Sequence, residues 1–444
     1  MMLKLRKLWL IVSCALLLAS CELSTGGSDA SDTAYAYNNS VATAWFDLVI
    51  NLGKESTGFS PPVVARALGY TGITLYESVV AGMPNNYSLS GQLSGLSNLP
   101  TASGQYHWGV VANSALASIT RSLFGRATSD QLTRISDLEQ SFNTQYKTDL
   151  AAEVYSRSVS YGQAVASSIF QWSMTDGGHE GYLSNTRSDY VMPTGVDKWQ
   201  PTPPAFAAPL QPYWGNNRPF ATKIGTECEP SAPYAYSETV GTPFYNDAKD
   251  VYNTVKNLSA EQRQIALYWS DDAGKTYTPP GHSISILTQL LRANSASLGF
   301  AAQAYAELGI GVSDAFIGCW HAKYQYNVLR PITYIQRVID SSFNANDMPL
   351  ITPPFPEYTS GHSVQIGATV TVLNSLFGSS TRFTDNTQSF LGYVGRSFNS
   401  FNEMAQEAAV SRVYGGIHYA KAVDEGLVQG QCIGNKVLQL RWTQ

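Results

Sequence analysis

From about Val41 onward, apolar residues return with a helical period along most of the chain. The pattern predicts helices over 41–52, 62–82, 105–124, 128–145, 148–172, 244–256, 259–270, 283–295, 297–309, 312–330, 361–377, 386–396, 401–413 and 418–440. Strand-like alternation is scarce. One long irregular block, 173–240, is rich in Pro, Gly, Asn and Tyr and includes KWQPTPPAFAAPLQPYWGNNRPF. It carries too many aromatics for a disordered linker and is expected to wrap over helices. The predicted fold class is all-α. It has two helical-bundle halves, 39–235 and 236–444, within a single domain spanning 39–444, and little strand.

The first twenty residues break this pattern. Lys4, Arg6 and Lys7 precede an apolar run from Leu8 to Leu18. That is an export signal, too short for a spanning helix of about 20 residues. Leu18-Ala19-Ser20-Cys21 resembles a bacterial lipobox, with Cys21 as the lipidation site and first mature residue. Residues 21–38 then read as a flexible tether. The expected location is the bacterial periplasm or cell surface, held to the membrane by the N-terminal lipid alone. Cleavage before Cys21 leaves 25 cations against 33 acids, a net charge of −8. No basic excess exists for nucleic acid, so any anion site is a local cluster of cations. Cys228, Cys319 and Cys432 lack the CxxC spacing of a zinc site. One disulfide plus one free thiol fits an oxidising compartment, and the pairing stays open. A homodimer is one arrangement the sequence allows; nothing in it fixes the oligomeric state.

Three pieces in the last third carry candidate chemistry. In SDAFIGCWHAKYQYNVLRP, Lys323 and Arg330 lie almost two helical turns apart, with Trp320 on the same stripe. Pro331 turns Arg330 away from helical backbone, so its guanidinium is expected at a helix end. In PPFPEYTSGHSVQIGA, Thr359 or Ser360 caps a helix starting at Gly361, whose free N–H groups favour an anion. His362 in its first turn is a candidate acid–base group. In SRVYGGIHYAKAVDEG, Gly415 and Gly416 break the helix carrying Arg412, and His418 opens the next one, pointing back at Arg412. An echo of the second piece, YTPPGHSISI at 277–286, reads as helix-capping chemistry or as an old duplication.

Together these residues describe a receptor for a tetrahedral oxyanion: two guanidiniums, an ammonium, a hydroxyl, helix-start N–H groups and an axial imidazole. With phosphate, His418 is a nucleophile; with vanadate, it is a ligand. The ordered set Lys-x6-Arg-Pro, Ser-Gly-His, Ser-Arg-x5-His resembles the superfamily of type 2 phosphatidic acid phosphatases, bacterial class A acid phosphatases and vanadium-dependent haloperoxidases. DAFIGCW, KWQPTPP, PYWGNNRPF and YWSDDAGKTYTPPGH are similar to the bacterial haloperoxidase branch. YTSGHS and GGIHY resemble its iodoperoxidase-like members.

The resemblance implies a vanadate cofactor, with phosphate or sulfate taking the cradle in its absence. It implies that Lys323, Arg330, Ser360, Gly361 and Arg412 hold vanadate oxygens and that His418 bonds the metal. His362 is then the acid–base group toward hydrogen peroxide, Lys323 polarises the peroxide, and Trp320 and Phe355 line a halide pocket. The implied reaction is oxidation of halide by hydrogen peroxide to hypohalous acid, iodide first, bromide next and chloride least. Two readings compete: a periplasmic acid phosphatase with His418 as nucleophile, and a surface-anchored binding protein without catalysis.

Two positions depart from the superfamily pattern. Thr359 replaces a proline. Ala422, one turn after His418, replaces an aspartate. His418, Ala422, Gly426, Gly430 and Gly434 form a small-residue ridge on which another helix can lie close. Asp424 faces elsewhere and Glu425 is about 10 Å along the axis, so neither supplies the acid. A metal-bound imidazole can be oriented by a backbone carbonyl, whereas a nucleophilic one gains from a carboxylate. The missing acid therefore favours the ligand role.

Overall fold

The structure, a computed structural model, describes residues 32–148 and 150–444. The expected signal peptide and Cys21 lie outside the described residues. The tether is shorter than expected at its far end: Ala34 is fully buried, and the Tyr37 carbonyl accepts a hydrogen bond from Leu298 N at 2.7 Å. The chain is thus packed from about residue 33, not from 39.

The first helices are α1 (Ser40–Glu55), α2 (Pro61–Val79), α3 (Trp108–Leu123), α4 (Ser129–Lys147) and α5 (Ala152–Ser173). Thr128 and Gln131 close a capping box at the start of α4. After the irregular segment come α6 (Pro243–Lys256), α7 (Ala260–Tyr268), α8 (Thr278–Ala293), α9 (Leu298–Tyr326), the single turn α10 (Pro331–Tyr334), α11 (Gly361–Phe377), α12 (Phe401–Tyr414) and α13 (Ala420–Leu438). One hydrophobic core runs from Ala34 to Trp442 and is continuous across residue 235, because α2 of the first half packs along α9 of the second.

Three expectations change. The helices expected at 297–309 and 312–330 are one, α9, about 44 Å long at 1.5 Å per residue. Its Gly309 reads as a break in sequence. In the fold it is where α9 meets α2, since a Cβ there would sit 2.9 Å from the Leu68 carbonyl oxygen. The helix expected at 386–396 is instead a 3-10 turn, Thr387–Leu391, between two short antiparallel strands. These are β1 (Phe383–Asp385) and β2 (Arg396–Phe398), with Phe383 opposite Phe398. Finally, α8 starts five residues early, through Pro279 and Pro280, which suit a first helical turn.

The block 173–240 does lie over helices. Asp314, fully buried on α9, accepts hydrogen bonds from the backbone N–H groups of Phe220, Ala221 and Thr222 at 2.7–3.0 Å. Further along, Cys228 is disulfide-bonded to Cys432 on α13, which leaves Cys319 as a buried free thiol. On loop-closure entropy a bridge between residues 204 apart in sequence is worth about 5 kcal/mol. Among the described residues no helix is long and apolar enough to cross a membrane.

Candidate active site

The small-residue ridge of α13 determines how the site is built. A Cβ on Gly430 would fall 2.0 Å from the Val364 carbonyl oxygen, so α11 can lie against α13 only where the side chain is absent. The contact continues to the start of α11, where Ser360 N donates to the Ala422 carbonyl at 3.0 Å. Close packing of two helices therefore brings Ser360, Gly361 and His362 to the level of His418. Ser360 caps α11 through its hydroxyl, which accepts from Ser363 N at 3.4 Å. Arg412 sits in the last turn of α12. Gly416, at φ +76°, then reverses the chain in a left-handed conformation that favours glycine. His418 lies in this turn, two residues before α13, so it precedes the helix it was expected to open.

A cavity of about 230 Å³ is lined by Gly361, His362, Arg412, His418, Trp320 and Phe355, among others. The rings of Trp320 and Phe355 are 4.9 Å apart between centroids and form an apolar wall. Arg330 stands behind His418. Its Nη1 donates to the Ile417 carbonyl at 2.7 Å and lies 3.2 Å from His418 Nε2. Arg330, Lys323 and Ser360 are not on the cavity wall. Lys323 Nζ donates to the carbonyls of Pro356, Glu357 and Thr359, so its three hydrogens hold the loop that carries the α11 cap. A larger cleft of about 900 Å³, along Gly91–Ser97 and Gly215–Ile224, contains none of these residues.

The acid missing from α13 is supplied from elsewhere. Glu357 Oε1 lies 2.7 Å from His418 Nδ1 and accepts from Tyr419 N at 3.0 Å. His418 therefore does have a carboxyl partner, on the loop before α11, so the acid expected to be missing is present and its absence no longer favours the ligand role. The tautomer follows from the two neighbours. Arg330 can only donate, so Nε2 is the acceptor; Oε1 already accepts from a backbone N–H, so Nδ1 carries the proton. The lone pair of His418 is thus at Nε2, where it accepts from Arg330.

The electrostatics are those of a pocket built for an anion. Lys323, Arg330 and Arg412 are all buried. Burial, followed by the charges of Arg330, Lys323 and Arg412, holds the His418 ring well below the ordinary imidazole range, so it is neutral. Burial and then Arg412 bring His362 down to about 4. Burial lowers Lys323 to about 8 and both Arg330 and Arg412 to about 10. Burial pushes the Glu357 carboxyl up, while Arg330 and Lys323 draw it back. Arg412 Nε is buried without a hydrogen-bond partner. Buried guanidiniums, a spare donor, helix-start N–H groups and a neutral nitrogen lone pair together fit an oxyanion such as vanadate.

Behind His362 lies a second layer that sequence reasoning missed. Asp271 Oδ2 is 3.5 Å from His362 Nε2, and the same carboxylate meets His282 Nδ1 at 2.9 Å. On its far side, His282 Nε2 meets Asp385 Oδ2 at 2.8 Å. Both histidines of the Gly-His-Ser echo thus converge on Asp271. The signal was present in YWSDDAGKTYTPPGH and in the echo, but neither reveals that α8 and α11 share one acid.

The family model described as "VCPO second helical-bundle domain" matches residues 303–346 and 340–442. Nothing among curated protein sequences matches the chain. Among solved structures, a bacterial vanadium-dependent iodoperoxidase is 33% identical with a TM-score of 0.81, over 92% of this chain and 98% of that one. A holo-type bacterial vanadium-dependent chloroperoxidase shares the fold at 16% identity and a TM-score of 0.67, over 87% of this chain and 93% of that one. With the cradle, the cavity and the likeness in place, the chain belongs to the vanadium-dependent haloperoxidases.

Proposed function

We propose that the chain oxidises iodide first, bromide next and chloride least, with hydrogen peroxide, at the cavity between α9, α11 and α12. The observation that carries this is the His418 Nε2 lone pair, held among buried cations and facing Arg330. Bound vanadate supplies the centre that activates peroxide toward halide. Arg330, Arg412 and the N–H groups at the start of α11 would hold its oxygens, and His418 Nε2 would be its direct ligand. Lys323 anchors the α11 loop and adds positive charge from behind the wall. His362, neutral at neutral pH, takes a proton from peroxide and returns it. Trp320 and Phe355 exclude water and give a polarisable halide an apolar wall. The iodoperoxidase likeness supports the halide order, and iodide is the easiest of the three to oxidise.

A second reading is favoured by one specific contact. The Glu357–His418 pair also suits phosphoryl transfer, with His418 as nucleophile, in protein free of vanadate. One experiment addresses both. Protein stripped with chelator is assayed with and without vanadate for oxidation of each halide, and in parallel for phosphate monoester hydrolysis. Vanadate-dependent turnover in the order iodide, bromide, chloride is expected, with phosphate competing for the cradle. Equal turnover of all three halides rejects the halide order. Fast monoester hydrolysis by stripped protein, blocked by vanadate and without iodide oxidation, makes the chain a phosphatase.

Location belongs to the same reading. Cys21 carries a lipid and anchors the protein on the periplasmic or outer face. Cys21→Ser is expected to move the protein from the membrane fraction to the soluble one. A variant that is cleaved yet still sediments with membranes rejects the anchor.

A further inference from the structure

The Gly-His-Ser echo of α8 has no part in the oxyanion cradle, yet its histidine is placed with care. His282 is buried, stacked on Trp269 with ring centroids 4.6 Å apart, and each ring nitrogen faces a carboxylate oxygen within 3 Å. Carboxylates accept, so both nitrogens must donate, and only the imidazolium has two N–H groups. Burial opposes that charge, but Asp271 and Asp385 outweigh it and hold the ring up at about 10. Asp385 is itself fixed by Tyr268 Oη at 2.8 Å and Thr387 N at 2.9 Å. Asp271 also accepts from Gln388 Nε2 at 2.8 Å and sits at φ +50°, a left-handed backbone that a non-glycine residue keeps only when its surroundings hold it.

The arrangement settles a difficulty of the site. A free carboxylate beside buried Arg412 would swing toward the guanidinium and repel an incoming oxyanion. Paired with an imidazolium, it is largely neutralised and cannot turn. We propose that His282 is a positioning residue for His362: as a buried imidazolium it pins Asp271, whose carboxylate then keeps the proton of His362 on Nε2 and leaves Nδ1 as the working lone pair. Nε2 of His362 is sealed from solvent and makes no full hydrogen bond, Asp271 Oδ2 at 3.5 Å being the carboxylate oxygen it faces, while the residue lines the cavity, which fits that division. The inference rests on His362 being the acid–base group of the proposed function.

The test is nitrogen-15 NMR of the full, vanadate-free chain labelled in its 6 histidines. Ring shifts report tautomer and charge directly. At about pH 8, where an ordinary histidine is neutral, one ring is expected to keep both protons, and its signals should vanish in His282→Gln. In the same variant His362 should pass from the Nε2–H form to a mixture. With vanadate loaded, kcat should fall about 10-fold, as for loss of an outer-shell partner, and vanadate affinity should change less than about threefold. If His282→Gln does not fold, Asp271→Asn, one contact nearer to His362, must shift the same tautomer. No doubly protonated ring in the wild type, or an unmoved His362 tautomer in a folded variant, overturns the inference. Because the tautomer is read without vanadate, absent halide oxidation with a shifted tautomer indicts the proposed function alone. Normal oxidation with an unmoved tautomer indicts the clamp alone.

Discussion

His418→Ala is expected to abolish vanadate-dependent iodide oxidation while leaving weak oxyanion binding behind. The cradle and the ligand are separable in the structure. Arg412 and the α11 N-terminus face the cavity without help from His418, and Arg330 is tied independently to the carbonyls of Ile417 and Phe355. Removing the imidazole takes away the nitrogen lone pair that faces Arg330. It also leaves Glu357 with only the Tyr419 N–H and frees Arg330 Nη1 to turn toward the cavity. Activity should fall by more than about 100-fold, the upper end of what a lost supporting contact costs a metal site. Phosphate should still bind, weakened by about 10-fold, because charge and N–H groups remain. Calorimetry with phosphate on stripped protein separates the two effects. Retained iodide oxidation would show that the cation cradle alone suffices; complete loss of phosphate binding would show that His418 holds the cradle together.

Much of this site was legible because local chemistry and tertiary placement agree. Ser360 before Gly361 is a capping signal, and α11 starts at Gly361. Arg330 before Pro331 is extended, with ψ 153°, and caps α10. The ridge from Ala422 to Gly434 made sense only as a helix contact, and α11 is the helix that uses it. What stayed hidden depends on residues that meet only through the fold. The acid of His418 was sought one turn along its own helix, where the small-residue ridge leaves no room for it. It comes from Glu357, 61 residues earlier, in a stretch whose Ser-Gly-His drew the attention. Asp271, His282 and Asp385 lie on a loop, a helix start and a two-stranded ribbon, and no spacing links them. The segment at 386–396 failed for a related reason: its periodicity is helical, but Asp385 is committed to His282 and Tyr268, and β1–β2 forms around that commitment.

Glu357 offers the sharper of the two large tests, because its two substitutions act on different physics. In Glu357→Gln the Tyr419 N–H still demands an oxygen at the Oε1 position. The amide oxygen therefore stays there and continues to accept from His418 Nδ1, so the tautomer survives while any charge is lost. In Glu357→Ala nothing accepts from Nδ1, and two buried donors are left unpaired at about 1–3 kcal/mol each. The alanine variant should lose about 10- to 100-fold in vanadate affinity, as outer-shell partners of metal-bound histidines do. It should also melt several degrees lower. The glutamine variant should keep vanadate affinity and iodide oxidation within about threefold, since a ligand nitrogen needs orientation more than a counter-charge. Its phosphate monoester hydrolysis should drop by 10-fold or more, because a nucleophilic imidazole becomes positive as it attacks and gains from a carboxylate beside it. The split between the two activities in Glu357→Gln thus reports the role of His418 directly. Equal losses of oxidation in the Gln and Ala variants would mean that the charge, not the tautomer, is what Glu357 contributes to the bound oxyanion site.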